Sequence, residues 1–275
     1  MDLTRTANSY LDGLANMRLV FSAPSVLVPF AAFGALQCAL LVLLAFFTAS
    51  PIASFMVPVV HALGGADSLH YPLHFVRLPE VYQRIYLPLA ATVGFAAWSA
   101  GVWVMVDHHV VGRSRPRPSF RSALPHVVGV GVVFVGTSVV VGYGLGAVAA
   151  MLPPGHAAQA AVAASVAVTA CVQTFLVYTP VVLRLRGGGA LPAVRASVRY
   201  AAQNFAPTLM VVVTVLAAHA PVDVLLARSA GIASRFQPEL VFYTLLGSAL
   251  LEVFTAYLLF ASTTALALPE EGGIR

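Results

Sequence analysis

The amino-acid sequence predicts an all-α polytopic membrane protein, a bundle of six transmembrane helices arranged as three hairpins. Three observations carry this reading. Of the 275 residues, 59% are hydrophobic and 9% are charged, whereas an ordinary soluble domain is about 25% charged. Six continuous apolar stretches each reach the roughly 20 residues that a helix needs to cross a hydrocarbon core. The arginines that flank these stretches alternate from side to side, dense then sparse. So few charges cannot cover the surface of a water-soluble fold of this length, but lipid solvates apolar faces directly. The apolar runs are continuous and do not alternate with polar residues. They therefore read as helices and not as barrel strands, since hydrocarbon leaves no open backbone satisfied.

Taken in order, residues 1–24 are mixed and polar and read as a cytoplasmic amphipathic segment, not a cleaved signal. The transmembrane domain occupies 25–267, with spans near 25–49, 86–106, 126–151, 158–183, 206–226 and 240–267, and 268–275 form a cytoplasmic tail. The first external connection, 50–85, is long. Its Pro51–Leu63 stretch offers Phe55, Met56, Val59, Val60 and Leu63 to an interfacial helix. Gly64-Gly65 then opens a loop rich in His, Tyr and Pro, which reads as a lid over the helix ends or as a functional loop. Pro153-Pro154-Gly155-His156 reads as a tight turn that makes spans three and four antiparallel neighbours.

Charge gives the orientation. All 15 basic residues are arginine. Arg5, Arg18, Arg113, Arg115, Arg117, Arg121, Arg184, Arg186, Arg195, Arg199 and Arg275 fall on one side, and Arg77, Arg84, Arg228 and Arg235 on the other. The positive-inside rule places the richer side, with both chain ends, in the cytoplasm of a bacterial inner membrane. Net charge +5 then reflects orientation and contact with anionic lipid, not nucleic acid. Arg113, Arg115, Arg117, Arg121, Arg195 and Arg199 are the basic residues expected to face lipid headgroups or a partner protein.

Each odd-numbered span follows a basic, partly apolar lead-in that ends in proline. The lead-ins are Met17-Arg18-Leu19-Val20-Phe21-Ser22-Ala23-Pro24, Phe120-Arg121-Ser122-Ala123-Leu124-Pro125, and the longer Val194 to Pro207 stretch. Each reads as a cytoplasmic amphipathic helix turning into the membrane, with proline where a missing N–H costs least. With the Arg199-to-Pro207 lead-in, this layout resembles bacterial six-span proteins of the YciC and glycerophosphodiesterase-membrane-domain type. The resemblance covers most of the chain and implies a membrane module. It does not imply phosphodiesterase activity, because the catalytic domain of those enzymes has no counterpart in these residues.

Polar residues inside a span are the first place to look for function. With each span centred on the bilayer, Gln37, Ser99, Thr137, Ser138, Gln173 and Glu252 fall within about 5 Å of the midplane at 1.5 Å rise per residue. His219 lies slightly outward. These residues are expected to form an internal polar layer, with Glu252, Gln37, Gln173 and His219 as the candidate intramembrane site. Glu252 stands out as an acidic residue deep in a long apolar run. A charged carboxylate there costs several kcal/mol unless it is paired, hydrated or protonated. It reads as a proton, cation or ligand site, or as a hydrogen-bonded structural tie. Gln37 and Gln173 also read as interhelical glue, and Asp223 as an interfacial anchor. In span three, Ser138-x-x-x-Gly142-x-x-x-Gly146 permits close helix approach.

His70 and His74, with His61 and Asp67 nearby, are weak candidates for zinc or copper. Pro72 between them argues against a regular helix there. Asp107-His108-His109 reads as an interfacial cap. Cys38 and Cys171 read as small apolar residues, and no phosphate loop, His-Glu-x-x-His or Gly-x-Ser-x-Gly motif occurs. No cofactor is therefore expected, no catalytic residue stands out, and an ATP-driven role would require a separate ATPase subunit. The foremost reading is a transport- or permease-related membrane module. The alternative is a non-catalytic scaffold or assembly subunit binding a partner protein or lipid. A lipid-modifying membrane enzyme comes third.

Overall fold

The computed structural model describes residues 24–109, 118–151 and 156–271, and among these there is no strand. A 3₁₀ turn at Pro24–Val26 leads into α1 (Val28–Ala45). Then come α2 (Ala53–Gly64), a second 3₁₀ turn at Ala66–Leu69 and α3 (Leu73–Leu89). A π-helical segment, Ala90–Gly94, joins α3 to α4 (Phe95–His109). There follow α5 (Phe120–Ala150), α6 (His156–Leu176), α7 (Thr179–Arg186) and α8 (Ala190–Gln203). The chain closes with α9 (Phe205–Ala227), α10 (Ser229–Arg235) and α11 (Leu240–Glu271). Among the described residues six stretches are long and apolar enough to cross a membrane: Val28–Ala45, Leu73–His108, Phe120–Val141, Val166–Arg186, Phe205–Ala227 and Leu240–Leu268. The protein is an all-α, multi-pass membrane protein.

The second span departs most from expectation. The helical apolar stretch there begins at Leu73, not near 86, and counts 36 residues, more than the roughly 20 that a hydrocarbon core needs. The extra turns carry Arg77, Glu80 and Arg84 on the helix. Glu80 bridges the other two at i,i+3 and i,i+4, with Arg77 Nη1 to Oε2 at 3.1 Å and Arg84 Nη2 to Oε1 at 2.5 Å. These self-paired charges allow a helix where composition suggested a loop. Pro88 lies in the last turn of α3. It has no N–H to donate and crowds the carbonyl four residues back, and the π segment starts two residues later.

A helix does form at the expected interfacial stretch, as α2, with Phe55 and Val59 exposed; of the other residues expected to lie on lipid, Val60 is buried in the core and Met56 and Leu63 pack against it. Of the three lead-ins, the third stands as a separate helix. In α8 the buried residues Ala193, Ser197, Tyr200 and Ala201 share one face, while Arg195 and Arg199 are exposed on the other. Asn204 ends it, with Nδ2 donating to the Tyr200 carbonyl at 3.3 Å. The second lead-in is not separate. α5 runs through Pro125 without interruption; the carbonyl this leaves without an intrahelical donor is that of Arg121, in the first turn. The first lead-in, residues 17–23, lies outside the described residues, as do the expected turn residues Pro153, Pro154 and Gly155. α5 and α6 nevertheless pack against each other.

The chain divides into two compact units, one comprising Met1–Pro29, Ala90–Leu216 and Ala256–Arg275, the other Phe30–Leu89 and Ala217–Thr255. In lipid, apolar burial drives helix association weakly, so tight contact and interhelical hydrogen bonds must hold helices together. In the first unit α5 lies directly on the π segment. A side chain at Gly131 would collide with the Ala91 carbonyl and the Phe95 ring. Span three thus makes a close approach at Gly131; Gly142 and Gly146 of the expected Ser138–Gly146 series lie outside the residues whose surroundings are described. Phe95 packs on Phe134 and Trp98 on Phe260, with centroids 5.6 and 6.0 Å apart. In the second unit the core is built by Leu41, Leu44 and Phe47, Val60, Leu78 and Val81, and Phe242 and Leu245.

Candidate functional site

The second unit builds an intramembrane polar cluster around Glu252, starting from a glycine. Gly34 of α1 faces Val253 of α11 so closely that any side chain there would overlap the Val253 methyl. The two helices therefore meet nearly backbone to side chain, as small residues permit in membranes. One turn along α1 from Gly34, Gln37 is 1% exposed. Next to Val253 on α11 is Glu252, partly buried. The third wall is α3, where Tyr82 and Tyr86 lie one helical turn apart on one face with rings stacked at 5.4 Å. The Tyr86 hydroxyl donates to Glu252 Oε1 at 2.6 Å. The Tyr82 hydroxyl donates to Gln37 Oε1 at 2.9 Å. Gln37 also faces the carboxylate, and its Nε2 makes no hydrogen bond. Among the described residues no arginine pairs with Glu252. The short phenol-to-carboxylate bond has the length of a charge-assisted one.

A second contact sits one turn from Glu252 on the same helix. Thr255 Oγ1 lies 2.9 Å from His219 Nε2 of α9 and 3.3 Å from the Glu252 carbonyl. Asp223, one further turn along α9, is exposed.

Of the expected polar layer, Gln37 and Glu252 meet through Tyr82 and Tyr86, with His219 joined by way of Thr255. Ser99, Thr137, Ser138 and Gln173 belong to the first unit. Thr137 and Ser138 bond to carbonyls of their own helix at 2.8 and 3.2 Å, as hydroxyls in membrane helices commonly do. Ser99 is fully buried. Gln173 is partly buried, and its backbone carbonyl accepts from Val177 at 3.0 Å.

His70 and His74 part company at the start of α3. His70 precedes the helix and is exposed. His74 stands in its first turn, its ring tilted 40° against Phe75 at 3.9 Å and edge-on to Phe47 at 5.7 Å. Among the described residues no three His, Cys, Asp or Glu side chains are grouped to hold a metal ion.

The first unit carries an ionic knot. Asp107, near the C-terminus of α4, would oppose the helix dipole if left alone. Arg184 of α7 holds it with Nη2 2.6 Å from each carboxylate oxygen, and with Nε at 3.0 Å. Arg184 also donates through Nη1 to the Pro118 carbonyl at 2.6 Å, and its guanidinium lies 4.8 Å from the Trp103 ring centre. The interfacial cap expected at Asp107 is thus this ion pair. Nearby, Arg186 reaches the Tyr200 hydroxyl at 3.1 Å, and Ser197 donates to the Phe175 carbonyl at 2.7 Å, fixing α8. Among the other basic candidates Arg121 is exposed at the start of α5. Arg113, Arg115 and Arg117 lie outside the described residues.

No family model, curated protein or solved structure matches the chain. The fold and the site alone therefore bear on its function.

Sequence reasoning missed Tyr82 and Tyr86, which fell in or at the edge of the stretch read as external connection. Their i,i+4 spacing was the available signal, since it places both on one face of any helix that includes them.

Proposed function

We propose that this protein is a transport-related, permease-like module of a bacterial cytoplasmic membrane, with Glu252 as the residue that loads and releases a cation. The observation that carries this is the Glu252 setting. It is an acidic side chain in the interior of an apolar span, bonded to a phenol and faced by an amide, with no arginine paired to it among the described residues. A purely structural tie would be made at lower cost by two neutral groups, because the charged form is expensive in hydrocarbon. A group that must change its charge state tolerates that expense. The arginine distribution supports cytoplasmic N- and C-termini.

The test compares cells expressing the wild-type chain with cells expressing Glu252→Gln, following uptake and efflux across the small-molecule pool by mass spectrometry. The amide keeps the size of the side chain. Loss of a wild-type flux, with membrane insertion and detergent elution profile unchanged, supports the reading. A flux equal to wild type in Glu252→Gln rejects it.

One observation favours a second reading, a scaffold that meets lipid headgroups or a partner such as an ATPase subunit. Arg195 and Arg199 stand exposed on α8, whose other face is pinned by Ser197 and Tyr200. Stoichiometric co-purification of a partner, lost on Arg195→Gln with Arg199→Gln, would favour that role.

A further inference from the structure

We infer that the ion exchanged at Glu252 is a proton and not a metal cation; this rests on the transport reading of the site. The argument is the polarity of the groups around the carboxylate. Tyr86 presents its O–H to Glu252 Oε1. Gln37 spends its carbonyl oxygen on the Tyr82 hydroxyl, which leaves the amide N–H groups as what it offers on its other side. That side chain is buried, with 1% exposure, and its Nε2 makes no hydrogen bond. The neighbours of the carboxylate thus turn hydrogens toward it. A hard metal cation needs several oxygen lone pairs pointing inward. Here it would meet the positive ends of an O–H and an N–H dipole, and would have to turn both groups before binding.

A proton needs none of this. It adds to a carboxylate oxygen, –COO⁻ + H⁺ giving –COOH, and leaves by the reverse step, with water as source and acceptor. The same donors suit the ionised form, since each hydrogen bond to a carboxylate favours charge. Once Glu252 is protonated, the Gln37 amide can turn and accept from the new O–H, exchanging its link to Tyr82 for one to Glu252. The cluster then has two bonded arrangements, one for each protonation state. The other titratable or charged groups that this unit carries on the same helices are Cys38 of α1, His74, Arg77, Glu80, Tyr82, Arg84 and Tyr86 of α3, His219 and Asp223 of α9, and Tyr243 of α11; Arg77 and Arg84 are paired with Glu80. His219 is engaged with Thr255.

The experiment uses the full chain in lipid nanodiscs and a hydrophobic carbodiimide, which adds to protonated carboxyls. Modification of Glu252 is read by peptide mass spectrometry over a pH series, in choline, sodium, potassium and magnesium salts at equal ionic strength. Glu252→Gln sets the background. The expected result is labelling that falls about tenfold per pH unit on the alkaline side of its midpoint, with one profile in all four salts. Protection by sodium, potassium or magnesium at constant pH overturns the proton assignment and leaves Glu252 a cation-transport site. Labelling that does not vary with pH overturns it too. Wild-type flux in Glu252→Gln cells rejects the transport reading itself, whatever the labelling shows.

Discussion

The Tyr86 hydroxyl and Glu252 Oε1, 166 residues apart in sequence, stand 2.6 Å apart. That bond ties α3 to α11 within one compact unit and gives the buried carboxylate its direct partner.

The strength of this link can be measured as a coupling. A hydrogen bond to a charged group contributes about 1.5–3 kcal/mol. In a double-mutant cycle of Tyr86→Phe and Glu252→Gln, followed by unfolding in detergent, the pair should couple by about 1–3 kcal/mol. Strict additivity would mean that the two groups do not stabilise each other. Tyr82→Phe, which acts on Gln37 and not on the carboxylate, should couple less strongly to Glu252→Gln.

Close approach at Gly34 is the geometric condition for the cluster. Gly34→Val pushes a branched side chain into Val253 and should cost about 1–3 kcal/mol by overpacking. It should also change carbodiimide labelling of Glu252. Gly136, with open space around it, is the control: Gly136→Ala should be neutral or stabilising by up to about 1 kcal/mol through helix propensity. Equal effects at the two positions would remove the reason to assign Gly34 a special role.

Arg184 should not tolerate lysine. The guanidinium satisfies Asp107 and the Pro118 carbonyl at once and covers Trp103, and an ammonium cannot reproduce that fork. Its side chain is 14% exposed but that of Asp107 is 46% exposed, so solvent screening reduces the expected loss to about 1–2 kcal/mol for Arg184→Lys. Thermal unfolding should show Arg184→Lys close to Arg184→Ala. A lysine variant as stable as wild type would mean that charge alone suffices.

The orientation can be read from either side of the membrane. With Cys38 and Cys171 replaced by alanine, single cysteines at Arg77→Cys and Arg199→Cys should react with a membrane-impermeant maleimide from opposite faces. Arg199→Cys should react only after the cytoplasmic side is opened. Labelling of both from outside intact cells would reverse the topology proposed from the arginine count.

Much of the fold was legible because hydrocarbon thickness sets a length that composition reveals directly. Six helices long and apolar enough to cross follow from that. The second extends far upstream because Arg77, Glu80 and Arg84 look like loop residues in a hydropathy window. Only their helical spacing shows that they neutralise one another. The third lead-in was visible as an amphipathic helix. The second was not distinguishable from a simple extension of α5, since Pro125 so near a helix start breaks little.

By itself the sequence determined that the chain lives in a membrane, and that Glu252 is an acidic residue inside an apolar run, where its charged form is costly. These follow from the free energy of moving residues between water and lipid, which depends on residue type and local run. The tertiary structure decided which groups meet Glu252. Tyr86 bonds to it and Tyr82 bonds to the neighbouring Gln37 because Gly34 lets α1 close on α11 and because α3 is rotated to turn one face inward. It likewise gave Asp107 its partner Arg184, 77 residues away. Helix rotation and distance of approach are set by packing between distant segments, and no local stretch of sequence encodes them.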